Sequence, residues 1–244
     1  MKRRDPSLKK IYVASDIHFP EHDKVIWNKF LKVLKDSPPD ELILLGDIGD
    51  LESCSSHGGN PDPPALADDV RAINKGLDEI QAVYKGDITY MFGNHEYRAE
   101  RAVTALAPAL WGVFHLKDLL RLKQRGITYA PYGSVINRGK LSLTHGWLAG
   151  QNPAKAHLDS AQHSIMVGHV HRPGIYTRGT LGGKVQAGFV LPCMVKLDAP
   201  YLHGKPSGWT HGFGVVYVDK RSGDFYTYLV MATRRCFVWD GRRY

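Results

Sequence analysis

Apolar residues fall along this chain in two rhythms. Short unbroken runs reading I-Y-V-A, L-I-L-L, I-T-Y-M-F, L-S-L-T and I-M-V carry few interruptions, and runs of this length read as buried strands. Longer stripes have helical spacing. One runs through Val25, Ile26, Phe30, Val33 and Leu34, and Ser37-Pro38-Pro39-Asp40 stops it. The other runs through Leu66, Val70, Ile73, Leu77, Ile80 and Tyr84, with Gly86 placed to cap its end. Strand 10–15, helix 21–36 and strand 41–45 form a βαβ unit, so the two strands are expected to be parallel neighbours. A helix over 65–85 and a strand over 88–92 repeat the pattern, and two more helices are expected over 99–109 and 114–125. After Gly126 the texture changes. Strand-like runs appear at 127–130, 133–137, 140–144, 164–167, 174–177, 184–187, 212–218 and 225–231, with one short helix at 153–163 and a turn at Lys220-Arg221-Ser222-Gly223-Asp224. No linker, repeat or low-complexity tract interrupts the chain, so residues 1–244 read as one domain.

The ends of the apolar runs carry the chemistry. Residues 89–98 read T-Y-M-F-G-N-H-E-Y-R, a buried strand that breaks at Gly93 and continues as Asn94, His95 and Glu96. Gly93 permits a sharp exit, and open α/β sheets bind ligands beyond the carboxyl ends of their strands. Four more runs end alike, in Asp16 and His18, in Asp47 and Asp50, in His145, and in His169 and His171, usually beside glycine. One such ending is ordinary turn chemistry; five in one chain are not. Carboxylate, imidazole and amide oxygen together are donors for a borderline divalent metal such as Mn, Fe, Zn, Co or Ni. Seven side chains are too many for one ion and suit two ions sharing a carboxylate, the clamp used for in-line attack on phosphorus.

The blocks Asp16-Ile17-His18, Gly46-Asp47-Ile48-Gly49-Asp50, Gly93-Asn94-His95-Glu96, His145-Gly146 and Gly168-His169-Val170-His171 stand in this order over roughly residues 10–175. In that set the chain resembles the calcineurin-like metallophosphoesterase superfamily. The resemblance implies that Asp16, His18 and His171 hold a first metal, that Asn94, His145 and His169 hold a second, and that Asp47 bridges them. It implies a hydroxide between the ions as the attacking group, His95 as proton donor to the leaving oxygen, and Asp50 as the group that orients the His95 ring. It also implies a four-layer α/β/β/α sandwich of two mixed sheets flanked by helices, with the β-rich part 176–244 completing the second sheet. In the related Ser/Thr protein phosphatases the second block ends in Asp-Arg, whereas here Leu51 follows Asp50. This departure, the size and the β-rich tail look more like the small bacterial and phage enzymes, which places the chain in the cytoplasm.

Substrate contacts are open at this stage. Arg98 and Arg172 adjoin two of the blocks and are candidates for holding phosphate oxygens, or simple surface arginines. The Gly-, Pro- and Ser-rich segment 51–64 reads as a lid carrying His57 or as a plain connection. Segment 199–212 holds His203, Lys205, Trp209 and His211. It reads as a place where a base stacks and His211 touches substrate, or as a loop that Trp209 plugs down.

Composition narrows the field. With 43% hydrophobic and 23% charged residues the chain is an ordinary globular protein, and no apolar run reaches the ~18–20 residues of a membrane helix. The basic start M-K-R-R-D-P-S-L-K-K lacks a signal-like apolar region, and Cys54, Cys193 and Cys236 show no paired spacing, so free thiols are expected. A net charge of +8 favours an anionic partner, DNA or RNA among them, although much of the excess lies in the tails. The preferred substrate is therefore a phosphodiester of nucleotide or nucleic acid. The alternatives are a phosphomonoester of protein or metabolite, and a nucleic-acid-binding scaffold on the same fold.

Overall fold

The computed structural model describes residues 5–55, 65–110, 112–198 and 207–244; His57, His203 and Lys205 lie outside the described residues. In chain order the larger elements are β1 (Leu8–Ala14), α1 (Lys24–Asp36), β2 (Glu41–Leu45), α2 (Leu66–Val83), β3 (Asp87–Met91), α3 (Asn94–Leu106), α4 (Leu116–Leu119), β4 (Thr128–Ala130), β5 (Ile136–Arg138), β6 (Leu141–Thr144), α5 (Pro153–Ala161), β7 (Ile165–Val167), β8 (Gly174–Gly179), β9 (Val185–Val190), β10 (Gly212–Asp219) and β11 (Phe225–Met231). Two short strands, Val238–Trp239 and Arg242–Arg243, pair near the end.

Two mixed sheets are formed, ordered β11-β10-β1-β2-β3-β4 and β5-β6-β7-β9-β8. Strand alternation builds the layers. Ile11, Val13, Ile43, Leu45 and Met91 of the first sheet meet Leu141, Leu143, Met166 and Phe189 of the second in one core. Their neighbours Tyr12, Ala14, Leu42, Leu44 and Tyr90 point the other way, onto Ile26, Trp27 and Phe30 of α1 and Ile73, Leu77 and Ile80 of α2. Ala154 of α5 packs on Ile165, Val167 and Val190 at the outer face of the second sheet. The result is the expected helix, sheet, sheet, helix sandwich. No helix among the described residues is long and apolar enough to cross a membrane, and the three cysteines are unpaired.

Several boundaries move for local reasons. Helix α1 starts at Lys24 because the Asp23 carboxylate accepts the Val25 and Ile26 amides at 2.9 and 3.2 Å. Helix α3 starts at Asn94 rather than 99, so Asn94 to Arg98 form its first turn. The expected helix over 114–125 shrinks to α4, and Arg121 just beyond it takes a left-handed φ of 55°. Helix α2 ends on an extended Tyr84, so Gly86 is not its cap.

The expected placement of the C-terminal part needs correction. Only β8 and β9 join the second sheet. β10 and β11 extend the first, with β10 antiparallel to β1 from Leu8↔Asp219 to Val13↔Gly214. β1 is buried on both faces from Lys10 onward, so its second edge also needs a hydrogen-bonded neighbour. The apolar run 212–218 supplies it.

Candidate metal centre

All five polar strand endings meet at the same end of the two sheets, those after β1, β2 and β3 from the first and those after β6 and β7 from the second. The loops after β1 and β2 are zipped together: the amides of Asp16, His18 and Phe19 donate to the carbonyls of Gly46, Asp47 and Ile48 at 3.1, 3.1 and 2.8 Å. Asp16, His18, Asp47, His169 and His171 all adopt left-handed φ, between 53° and 68°. A residue bearing Cβ pays about 1 kcal/mol or more for this, and the strain persists only where the surroundings over-determine it. Here it turns short side chains back toward a common point.

Among the described residues three donor groups result; one, His18, Asp50 and His95, shares His18 with the first of the two that hold the expected ligands. In the first, His171 Nε2 lies 3.1 Å from Asp16 Oδ1 and 3.3 Å from His18 Nε2. In the second, His145 Nε2 lies 3.1 Å from Asp47 Oδ2 and 3.0 Å from Asn94 Oδ1, and His169 Nδ1 is 2.9 Å from the same Asn94 oxygen. Within each of the sets Asp16, His18, His171 and Asp47, His145, His169, the donor atoms lie within 4.8 Å of one another. All seven residues expected to hold metal are thus brought together.

The hydrogen bonds behind these rings test whether a cation fits. His145 Nδ1 sits 2.8 Å from the Leu45 carbonyl and must donate to it. Its Nε2 then faces a carboxylate oxygen and an amide oxygen, so the position calls for positive charge there, supplied by a bound cation or by a second proton on the ring. In the other group His18 Nδ1 donates to Asp50 Oδ1 at 2.9 Å, which turns its Nε2 onto the Nε2 of His171. Electrostatics say the same. Burial disfavours the charged form of His145, yet Asp47 and Asp16 outweigh it and lift the ring to about 10. Burial likewise opposes ionisation of Asp47, and His145 and His95 pull its carboxyl well below the ordinary range. Anionic donors this deep need positive charge beside them.

Two residues support the donors from behind. Asp50 was expected to hold the His95 ring, and its backbone carbonyl accepts from His95 Nδ1 at 2.6 Å, while its carboxylate is nearer to His18 Nδ1 (2.9 Å) than to His95 Nδ1 (3.4 Å). Glu96 is fully buried, and its carboxylate accepts the amides of Asp47, Ile48, Gly49 and Gly93 at 2.8–3.0 Å and the Tyr90 hydroxyl at 2.9 Å. It clamps the loop that presents Asp47.

The substrate candidates divide. Arg98 reaches the centre, its Nη2 donating to His95 Nε2 at 3.0 Å. Arg172 is engaged elsewhere, with Nη2 on the carbonyls of Ala149 and Gly150 at 2.8 and 3.0 Å. His211 is buried and bonded to the Val195 carbonyl at 2.8 Å, so it pins a loop rather than reaching outward. His57 lies outside the described residues. Missed in the sequence were Tyr97 and Tyr132, stacked at 4.9 Å; an aromatic directly after G-N-H-E was the available signal.

The family model for calcineurin-like phosphoesterase matches residues 9–184. The gene 54 protein of Mycobacterium phage D29 is 30% identical over 229 residues, covering 86% of this chain and 89% of that one. Its counterpart in Mycobacterium phage L5 is 29% identical over the same shares. Among solved structures, Vps29 from Entamoeba histolytica aligns over 96% of each chain with 12% identity and a TM-score of 0.48. Yfce, a phosphoesterase from E. coli, aligns over 90% of this chain and 98% of that one with 16% identity and a TM-score of 0.41. With its motif blocks gathered into a cation-fitting pocket and a family match over most of its length, the chain belongs to the calcineurin-like phosphoesterases and is a metal-dependent phosphoesterase.

Proposed function

We propose that the centre holds two divalent cations that share Asp47 and that it hydrolyses phosphodiesters of nucleotides or nucleic acid. The observation that supports the pair of sites is the division of the donors into two groups, Asp16, His18 and His171 on one side and Asn94, His145 and His169 on the other. The chemistry that divalent ions supply when bound in such a site is Lewis acidity toward phosphate oxygens and a lowered pKa of water; manganese suits this donor set.

The chain's own residues supply the proton and the positioning. Because His95 Nδ1 donates to the Asp50 carbonyl, Nε2 is the nitrogen left to work. Burial disfavours the charged ring, but Asp47 and Asp50 outweigh it and hold His95 above the ordinary histidine value. A protonated Nε2 can hand its proton to the departing oxygen. It then no longer accepts from Arg98, which frees that guanidinium for a phosphate oxygen. The preference for diesters is supported by the net charge of +8 and by the exposed rings of Tyr97 and Tyr132. Comparing turnover of bis-p-nitrophenyl phosphate with that of p-nitrophenyl phosphate, with manganese added, tests it. Turnover of the diester supports the reading, and turnover of the monoester alone overturns it.

A further inference from the structure

The strand order sets the centre between two aromatic stations. In the series β10-β1-β2-β3-β4, Asp47 follows the middle strand. β10 runs antiparallel to β1, so its start at Gly212 lies at the edge where β1 ends, and Trp209 stands just before it. β4 runs parallel to β3, so Tyr132, shortly after Ala130, reaches the same edge on the far side. Neighbouring strands are about 4.8 Å apart, which puts each station roughly 10 Å to one side of Asp47.

Each station sets aromatic rings beside arginines. The Trp209 ring meets the His171 ring at 4.3 Å and an angle of 66°. It also walls a cleft of about 540 Å³ bordered by Arg234 and Arg235, both exposed, and by Asp198 and Asp23, the last paired with Arg235 at 3.1 Å. On the other side Tyr97, in the first turn of α3, and Tyr132 are 40% and 37% exposed and stack with their planes at 17°. Arg98 adjoins Tyr97 and points at the centre. Stacked, exposed tyrosines contribute little to a core, and a row of aromatics and arginines along one edge is the arrangement that takes unpaired bases and tracks a phosphate backbone.

We propose that a single-stranded polynucleotide lies across this edge, one base stacked on Trp209 and another on the Tyr97–Tyr132 pair, with the scissile phosphate between them at Asp47. The proposal rests on the phosphodiesterase reading above and names its substrate. A duplex keeps its base faces inside its own stack, so it has none to offer these rings. Stations on both sides mean that cleavage needs no chain end. A water molecule loses one proton to solvent and its hydroxide bonds to phosphorus, the bond from phosphorus to one sugar oxygen breaks, and that oxygen leaves with the His95 proton.

The test uses fluorescein-labelled oligothymidylate, read by anisotropy on metal-loaded His95→Asn protein, with probe integrity checked on a gel. The single strand is expected to bind at least about 10-fold tighter than a duplex of the same length. Trp209→Ala and the double variant Tyr97→Ala/Tyr132→Ala are each expected to weaken it about 5- to 100-fold, and Trp209→Phe to keep most of the affinity. Equal affinity for duplex and single strand, or alanine variants that bind as before, overturns the proposal. Should Trp209→Ala not fold, Trp209→Leu against Trp209→Phe decides the same point. Cleavage of a closed circular single strand by the unaltered enzyme is expected, and resistance of the circle overturns the interior mode. Failure of the bis-p-nitrophenyl phosphate assay with intact strand binding would instead sink only the diesterase reading.

Discussion

Glu96 accepts the backbone amide of Asp47 at 3.0 Å, and the residue before Glu96, His95, donates its own amide to Asp47 Oδ1 at 2.9 Å. Helix α3 therefore grips the central carboxylate from both ends: one contact fixes the loop, the other fixes the rotamer. Replacing Glu96 by Gln puts an amide NH2 among four N–H donors. We expect Glu96→Gln to lower stability by about 2–4 kcal/mol and metal affinity about 10- to 100-fold. Thermal melts and metal titration calorimetry check both; unchanged affinity would mean that the loop holds Asp47 unaided.

The close approach of two loops at Gly93 gives a sharper prediction. A Cβ there would lie 2.2 Å from Asp47 Oδ1 and 2.5 Å from the Asp47 amide. Neither group can move without disturbing the donor set. Gly93→Ala should therefore lose activity by more than about 100-fold, measured as kcat/KM on bis-p-nitrophenyl phosphate, while the far β10–β11 hairpin keeps its hydrogen-exchange protection.

The pH profile should separate Asp50's two tasks. In the mechanism proposed above His95 is the acid, so its loss of a proton would set the alkaline limb of kcat. The charges of Asp47 and Asp50 hold that ring above its ordinary value against burial. Asp50→Asn removes one of these charges, so the alkaline limb should move to lower pH. The same variant weakens the hold on His18 and should reduce metal affinity about 10-fold. His95→Asn should lower kcat by about 10²–10⁴ and abolish the limb. A limb that stays in place in both variants assigns the proton to another group.

Far from the centre, Glu41 ties the two sheets. Its buried carboxylate meets Arg138 of β5 and Lys9, with Arg138 Nε at 2.8 Å and Lys9 Nζ at 2.8 Å. Burial raises its pKa, but the two cations win and hold it at about 2, against 4.5 for a free glutamate. A folded value below the unfolded one means stability present above about pH 4.5 and lost as pH falls toward 2. Glu41→Gln should cost about 1–3 kcal/mol at neutral pH, a fall of about 3–10 °C in Tm, and flatten the acid limb of the stability curve. An acid limb unchanged in the variant would place the titration elsewhere.

Much of this was legible in the chain, for a physical reason. Apolar runs that end in Asp or His beside glycine announce both a strand and what it carries, so Asp16, His18, Asp47, Asn94, His145, His169 and His171 were all found before any fold was known. The left-handed backbone at five of them was not, because no glycine marks it. The sheet that β10 joins was equally hidden: an apolar strand records that it is buried, not which neighbour it pairs with. Histidines were over-read for the same reason. His211 looks like a site residue in sequence, yet its ring is bonded to the Val195 carbonyl.

The count of bound ions bears on the whole scheme. Purified protein loaded with manganese and freed of excess should contain two ions per chain by elemental analysis, and Asp47→Asn should hold one or none. One ion in the unaltered protein, or two retained after Asp47→Asn, would contradict a centre built on a shared Asp47.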